Sequence, residues 1–211
     1  MTASAIQHLR RRDRALAAIM RRAGPCTLAP QPGIEPWQAL VRSVVYQQLH
    51  GTAAGAIFNR LLAVFPRHQW PPPEVLAAWP EASLRDVGLS RAKALAIKEV
   101  AAQTVAGVVP NRRQIRRLSD AEIMARLTLI RGVGPWTVEM LLMFTLGRLD
   151  VLPATDYGVR NGFALIHGLK ELPTPKELLT YGERWRPYRS VAAWYLWRAV
   201  DLARERQRPE T

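Results

Sequence analysis

Apolar residues recur three and four positions apart along most of this chain, and this spacing predicts amphipathic helices. The predicted helices span residues 4–23, 36–50, 52–65, 90–107, 119–130, 135–147, 157–168 and 185–205. Proline-rich points such as Pro71-Pro72-Pro73 and Pro173 are expected to end elements. Only Val108-Val109 and Val151-Leu152 favour extended backbone, in runs too short for a sheet. The pattern predicts an all-α protein of about ten short helices.

Two serines are suited to begin helices. Ser119 is followed three residues later by Glu122, which predicts a capping box. Ser90 precedes RAKALAIKEVA and predicts an N-cap, because its hydroxyl can accept a hydrogen bond from an early backbone amide.

The charge of the chain narrows the class of partner. Thirty Lys and Arg against seventeen Asp and Glu give a net charge of +13, and lysine occurs only at 93, 98, 170 and 176. Such an excess predicts a polyanionic partner, nucleic acid before membrane. The alternative is that a base-composition bias of the genome made the protein rich in arginine. With 48% hydrophobic residues the chain can bury a core, so global disorder is not expected.

Several classes of site and location are excluded by what the sequence lacks. Cys26 is the only cysteine, which rules out disulfides, a cysteine-ligated zinc site and an iron–sulfur cluster within one chain. His8, His50, His68 and His167 are scattered and form no metal-binding pair. No apolar run is long enough for a signal peptide or a membrane span. We expect a soluble, cytoplasmic protein with no metal, no cofactor and no membrane contact.

The stretch LIRGVGPWTVEMLL at 129–142 breaks helical sequence with two glycines one residue apart. A dinucleotide-binding loop is ruled out, because helical sequence precedes it and no βαβ context exists. The pattern instead predicts a helix, a tight hairpin and a second helix that begins at Pro135. Gly132 and Gly134 permit positive φ and close approach of another backbone. Either the turn binds an anion such as a DNA phosphate, or it is an ordinary turn between two helices.

Four segments then occur in an order that resembles a known family. The first is VVYQQLHGTAAGAIFNRL at 44–61, and a weaker one is VGLSRAKALAIKEVA at 87–101. The next unites Gly132, Val133, Gly134, Trp136 and Thr137 with Leu152, Pro153, Asp156, Tyr157 and Arg160, and the last is WRPYRSVAAWYLW at 185–197. With these segments the chain resembles the helix-hairpin-helix DNA glycosylase superfamily, more closely its alkylpurine branch of 3-methyladenine DNA glycosylase II type. The resemblance covers roughly residues 37–200.

The resemblance implies a helix-hairpin-helix glycosylase fold in which two helical lobes flank a DNA-binding active-site cleft. Residues 1–211 would form one glycosylase unit, with the hairpin lobe at 37–150 and the second lobe at 1–36 plus 151–211. Larger bacterial members carry an extra N-terminal mixed α/β domain. Residues 1–36 are too few for it, so we expect that domain to be absent.

The implied chemistry is hydrolytic excision of a flipped base, with Asp156 as the catalytic carboxylate. A carboxylate near C1′ stabilises the positive charge that develops on the sugar, and it orients or deprotonates the attacking water. Asp156 is also suited to be the N-cap of the helix near Tyr157, and the two roles are compatible. Bifunctional members carry a Schiff-base lysine near the start of the hairpin's second helix. Trp136 stands there instead, which implies a monofunctional enzyme.

The resemblance also assigns the base pocket and the DNA contacts. The pocket would comprise Trp136, Trp197, Met140 and Tyr46, with Met140 at a position where an aromatic residue is usual. Aromatic faces attract cationic alkylated purines, although core packing is the alternative role for each tryptophan. DNA would be held by Gly132, Val133, Gly134, Thr137, Gln47, Gln48 and Leu49.

Gln48 or Leu49 is the side chain expected to fill the gap left by the flipped base. The implied partner is double-stranded DNA containing alkylated bases, bound by a monomer with no obligatory protein partner and acting at a bacterial nucleoid. The alternative from another class is a DNA-binding module that keeps the hairpin but has lost excision.

Overall fold

The computed structural model describes residues 3–31, 33–49, 51–65 and 69–206, and it contains helices but no strand within these ranges. The α-helices are α1 (Ala3–Arg12), α2 (Arg14–Ala23), α3 (Pro36–Tyr46), α4 (Gly51–Ala63), α5 (Pro73–Ala78), α6 (Glu81–Asp86), α7 (Arg91–Val105), α8 (Arg112–Ile115), α9 (Asp120–Leu127), α10 (Pro135–Met140), α11 (Tyr157–His167), α12 (Pro175–Gly182) and α13 (Arg189–Arg206). A π-helical segment, Leu141–Thr145, continues α10, and a 3₁₀ turn, Glu183–Trp185, follows α12. The all-α prediction is confirmed.

The described residues contain more helices than the sequence pattern predicts. The helix predicted at 4–23 is two helices, because Asp13 leaves helical backbone (φ −148°, ψ 108°) and caps α2 by accepting a hydrogen bond from the Leu16 amide. Four short helices, α5, α6, α8 and α12, were not predicted. Pro73 and Pro175 begin two of them, because proline is well suited to the first helical position as well as to a stop.

Both predicted serine caps are confirmed. Ser119 and Glu122 form a reciprocal capping box at the start of α9. The Ser90 hydroxyl accepts a hydrogen bond from the Lys93 amide at the start of α7. None of the helices in the described residues is long and apolar enough to span a bilayer. His50 and His68 lie outside the described residues.

Residues 31–146 form one compact helical unit. Its centre is α3, which packs against α4, α7 and α10, while α7 also packs against α5 and α6. The apolar side chains that meet there are fully buried, among them Leu40, Val44, Ile97, Leu127 and Val138. This packing places the turn after α3 and the turn before α10 in the same unit.

Residues 1–30 and 147–211 form the other unit, in which α13 packs against α11 and α2. Its core contains the buried carboxylate of Asp13, which accepts hydrogen bonds from Trp185 Nε1 (3.1 Å) and Tyr181 Oη (3.2 Å). These donors compensate for the loss of water around a buried charge. His167 lies beside it, and burial lowers the pKa of this imidazole despite the opposing attraction of Asp13.

Candidate active site and DNA-contacting loops

Asp156 begins the helix α11. Its backbone is extended (φ −67°, ψ 125°), and its Oδ1 accepts a hydrogen bond from the Val159 amide at 2.8 Å. The expected N-cap role is therefore present. A cap fixes the rotation of the side chain, so the carboxylate is held in one orientation at the head of the helix.

A second donor reaches the same carboxylate oxygen. Trp197 Nε1 on α13 donates to Asp156 Oδ1 at 2.8 Å, and both residues belong to one unit. The indole of Trp197 is thus tied by its N–H edge to the carboxylate. The sequence predicted an aromatic wall here, and the hydrogen bond adds an orienting role for the same side chain.

Two glycines on α11 make this contact possible. A Cβ at Gly158 would lie 2.8 Å from Trp197 Cδ1 and 3.1 Å from Asp156 Oδ1, and a Cβ at Gly162 would lie 2.1 Å from the Leu196 carbonyl oxygen. Because positions i and i+4 share a helix face, the two glycines let α11 lie directly against α13. Sequence reasoning missed them, although a glycine pair at this spacing inside an apolar helix was a visible signal.

The chain leading to Asp156 is anchored to the start of α13. The fully buried Ser190 hydroxyl donates to the Arg148 carbonyl at 2.8 Å and accepts from the Val151 amide at 2.9 Å. Arg189 donates through Nε to Asp150 Oδ1 at 2.8 Å and through Nη2 to the Asp150 carbonyl at 2.9 Å. This network fixes the backbone of residues 148–151, a few residues ahead of the carboxylate.

The hairpin ahead of α10 uses its two glycines differently. Gly132 has φ +85°, and a Cβ there would lie 2.3 Å from Ala96 Cβ on α7, so both conformation and space require glycine. Gly134 has an ordinary φ of −96°, and a Cβ there would meet nothing within 4 Å. The permitted positive φ is therefore used at Gly132 but not at Gly134.

The backbone amides of this turn differ in whether they have a protein acceptor. Val133 and Thr137 are 3% and 1% exposed, and their amides donate to the carbonyls of Ile130 and Gly134. In the described part of the chain, the amides of Gly132 and Gly134 have no protein acceptor. An incoming phosphate oxygen could accept from these two amides.

In the turn after α3, the side chains of Gln48 and Leu49 are exposed, while that of Gln47 is hydrogen-bonded to the hairpin. Gln47 Nε2 donates to the Gly132 carbonyl (3.0 Å) and to Thr137 Oγ1 (2.8 Å), which holds this turn against the hairpin. Gln48 is exposed with φ +55°, and it is the only non-glycine residue with positive φ among those that the structure describes. Leu49 is 40% exposed. Gln48 and Leu49 thus remain the two candidates for the inserted side chain.

The predicted pocket residues are divided between the two units. Trp136 is the second residue of α10 and is half-buried, while Met140 is only 8% exposed. Tyr46 packs edge-on to Phe58, with ring centroids 6.4 Å apart, and the Arg42 guanidinium lies 5.1 Å from the Tyr46 centroid. Trp197 belongs to the other unit with Asp156. Nowhere in the described residues do three His, Cys, Asp or Glu side chains gather as metal ligands.

Gly134→Val is expected to leave stability nearly unchanged and to weaken binding to damaged and undamaged duplexes alike. A Cβ at this position would meet no protein atom within 4 Å, and the added methyl groups are expected to obstruct a phosphate that approaches the hairpin amides. Thermal unfolding and fluorescence anisotropy with duplex DNA would measure the two effects. Normal binding by the folded variant would show that the turn is only structural.

Similarity to known proteins agrees with this geometry. Residues 41–187 match the family model described as HhH-GPD superfamily base excision DNA repair protein. The chain is 43% identical over 169 residues to DNA-3-methyladenine glycosylase 1 of Schizosaccharomyces pombe, covering 80% of this chain and 74% of that protein. The alkylbase DNA glycosidase-like protein mag2 of the same yeast is 33% identical over 202 residues, which cover 95% of both.

A solved structure agrees in fold as well as in sequence. The Schizosaccharomyces pombe 3-methyladenine DNA glycosylase Mag1, in complex with abasic DNA, superposes with a TM-score of 0.90 at 39% identity, covering 95% of this chain and 98% of that one. The family resemblance predicted from the motifs is confirmed. This chain belongs to the HhH-GPD superfamily of base excision DNA repair proteins.

Proposed function

We propose that this chain is a monofunctional DNA glycosylase that removes alkylated bases, of the 3-methyladenine and 7-methylguanine type, from double-stranded DNA. The observation that carries the proposal is the Asp156 carboxylate, held by the Val159 amide and the Trp197 indole within a chain of this family. The similarity to DNA-3-methyladenine glycosylase 1 supports the choice of substrate.

The reaction is hydrolysis of the N-glycosidic bond after the damaged nucleotide has been flipped out of the duplex. The bond between C1′ and the base nitrogen breaks, and the base leaves with the electron pair. Water adds its oxygen to C1′ and loses a proton. Asp156 stabilises the positive charge on the sugar and orients or deprotonates the water.

We assign the recognition of the damaged base to the aromatic side chains of the proposed pocket. A purine methylated at N3 or N7 is cationic, and each aromatic face would attract it by about 0.5–2 kcal/mol. The Trp197 hydrogen bond to Asp156 uses the N–H edge of the indole, and the stacking role is assigned to the same ring. Trp136 is the second tryptophan proposed for the pocket, and Met140 and Tyr46 are proposed as its other residues.

DNA is held by the hairpin and by the turn after α3. The free amides of Gly132 and Gly134 would bind a phosphate, and Gln48 or Leu49 would enter the base stack in place of the flipped nucleotide. The net charge of +13 would strengthen the attraction to the duplex. We propose that the protein works as a monomer in the cytoplasm, without an obligatory protein partner or cofactor.

The proposal is tested by incubating methylated duplex DNA with the protein and identifying released bases by mass spectrometry. Release of 3-methyladenine or 7-methylguanine is expected. DNA binding without base release would instead identify a non-catalytic helix-hairpin-helix module.

No strand incision by β-elimination is expected to accompany base release. Trp136 stands where a Schiff-base lysine would be needed, and no lysine occurs between residues 98 and 170. The measurement is borohydride reduction during the reaction, followed by denaturing electrophoresis. A bifunctional glycosylase included as control forms a covalent protein–DNA adduct, and an adduct of equal yield with this protein would refute the monofunctional assignment.

A further inference from the structure

Lys93 on α7 holds the end of α3. Its Nζ donates to the Val45 carbonyl at 2.8 Å and to the Gln47 carbonyl at 2.7 Å. The last carbonyls of a helix have no partner within the helix, and the helix dipole makes this end negative, so an ammonium group stabilises it. Lys93 is partly buried, and this burial lowers the pKa of its ammonium below 10.5. The two hydrogen bonds show that the ammonium group is directed at protein carbonyls.

The residue that Lys93 holds also contacts the hairpin. Gln47 accepts from Lys93 through its backbone carbonyl and donates through its side chain to the Gly132 carbonyl and Thr137 Oγ1. Thr137 is 1% exposed, and the last of these bonds is partly buried. A continuous series of hydrogen bonds therefore joins α7, the turn after α3 and the hairpin.

The same face of α7 also contacts the hairpin directly. Ala96 lies one helical turn after Lys93, and positions i and i+3 share a helix face. Gly132 approaches Ala96 so closely that a Cβ at Gly132 would lie 2.3 Å from Ala96 Cβ. One face of α7 therefore supports both DNA-contacting segments, the turn at residues 47–49 through Lys93 and the hairpin at residues 131–134 through Ala96.

We propose that Lys93 is a positioning residue for base flipping, which fixes residues 47–49 relative to the hairpin so that one segment enters the base stack while the other holds the backbone. This inference rests on the proposed function. A turn that is already ordered loses little conformational entropy when it enters the duplex, whereas a mobile turn would lose it in each flipping event. Lys93 would thus act on flipping and not on the chemistry at Asp156.

The test replaces Lys93 with Met, which keeps an unbranched side chain but leaves the two carbonyls without their donor. Lys98→Met is the matched control, because Lys98 lies on the same helix and donates to the Trp79 carbonyl, away from both DNA-contacting segments. Lys93→Arg supplies a conservative variant that can again donate to carbonyls. Single-turnover base release would be measured with 7-methylguanine in a fully paired duplex and in a bulge.

A bulged base is already unpaired, so its flipping costs less. Lys93→Met is expected to slow release from the paired duplex by about tenfold or more, and from the bulge by less than about threefold, because only flipping is impaired. Lys93→Arg should recover part of the lost rate, and Lys98→Met should resemble wild type on both substrates. Equal losses on the two substrates would overturn the proposal.

Two further outcomes separate this role from others. A lysine that contacted phosphate would, when removed, weaken binding to all duplexes and reduce the salt slope by about 0.9, and this result would also overturn the proposal. Amide hydrogen exchange of the free protein gives a readout independent of activity. Faster exchange at both 47–49 and 131–134 in Lys93→Met is expected, and unchanged exchange would refute the coupling even if the wild-type protein released no base.

Discussion

Asp156→Asn is expected to abolish most base release, by about two to four decades in single-turnover rate, while DNA affinity stays the same or rises slightly. The substitution removes the negative charge that opposes the developing cation on the sugar, and the group that can take a proton from water. Affinity is preserved because a carboxylate only repels the DNA backbone. The measurement pairs single-turnover release of 7-methylguanine with anisotropy on the same duplex.

Asparagine is the informative replacement because it keeps the local structure. Its amide oxygen can accept from the Val159 amide and the Trp197 indole as the carboxylate oxygen does, and asparagine is as good an N-cap as aspartate. Asp156→Ala removes the cap as well, at a cost of about 1 kcal/mol in stability, and serves as the comparison. Turnover near the wild-type rate in a folded Asp156→Asn protein would refute the catalytic assignment.

Trp197→Phe is expected to slow base release by about one to two decades, because a hydrogen bond to a charged group contributes about 1.5–3 kcal/mol and one decade of rate corresponds to about 1.4 kcal/mol. Phenylalanine retains an aromatic face but has no N–H to donate to Asp156. The loss should therefore reflect a carboxylate that keeps the Val159 amide as donor but has lost the second one, the Trp197 indole. Trp194→Phe is the matched control, since Trp194 lies on the same helix and packs edge-on to Tyr195.

The choice of substrate separates the orienting role of Trp197 from stacking. A misplaced carboxylate should slow release of 3-methyladenine and of neutral hypoxanthine by the same factor. Loss of a cation-attracting face should slow release of the cationic base more than release of the neutral one. Trp197→Ala removes both the donor and the aromatic face, so it should be slower than Trp197→Phe, and the difference between these two variants should be larger for 3-methyladenine than for hypoxanthine. Equal rates for wild type and Trp197→Phe would show that the Asp156 contact has no kinetic role.

Sequence reasoning identified what is local in the site. The Gly-Val-Gly turn, Pro135 at the start of α10, and Asp156 ahead of α11 are each specified by a few neighbouring residues. Short-range rules of helix capping and turn conformation apply to such patterns. The helices that were missed, such as α8, are too short for their periodicity to be recognised.

Tertiary hydrogen bonds could not be predicted from the sequence in the same way. Gln47 contacts residues 85 and 90 positions away, and Lys93 contacts residues 46 and 48 positions away. No periodic pattern relates such distant positions, so Gln47 was predicted only as a DNA contact and Lys93 was given no role. For the same reason Trp197 was predicted only as part of an aromatic wall, and its hydrogen bond to Asp156 was not predicted.

The π-helical segment after α10 has a consequence for chain length. The amide of Leu146, which follows Leu141–Thr145, donates to the Leu141 carbonyl five residues back. This turn therefore contains one residue more than an α-helical turn. The wider turn takes up the extra residue locally, so deleting one residue here would allow a continuous α-helix with almost no rotation of the segment that follows. Buried side chains at the end of the segment, such as Thr145, would then stay in the core. A protein shortened by this single residue is expected to keep both its helix content and the register of its interior.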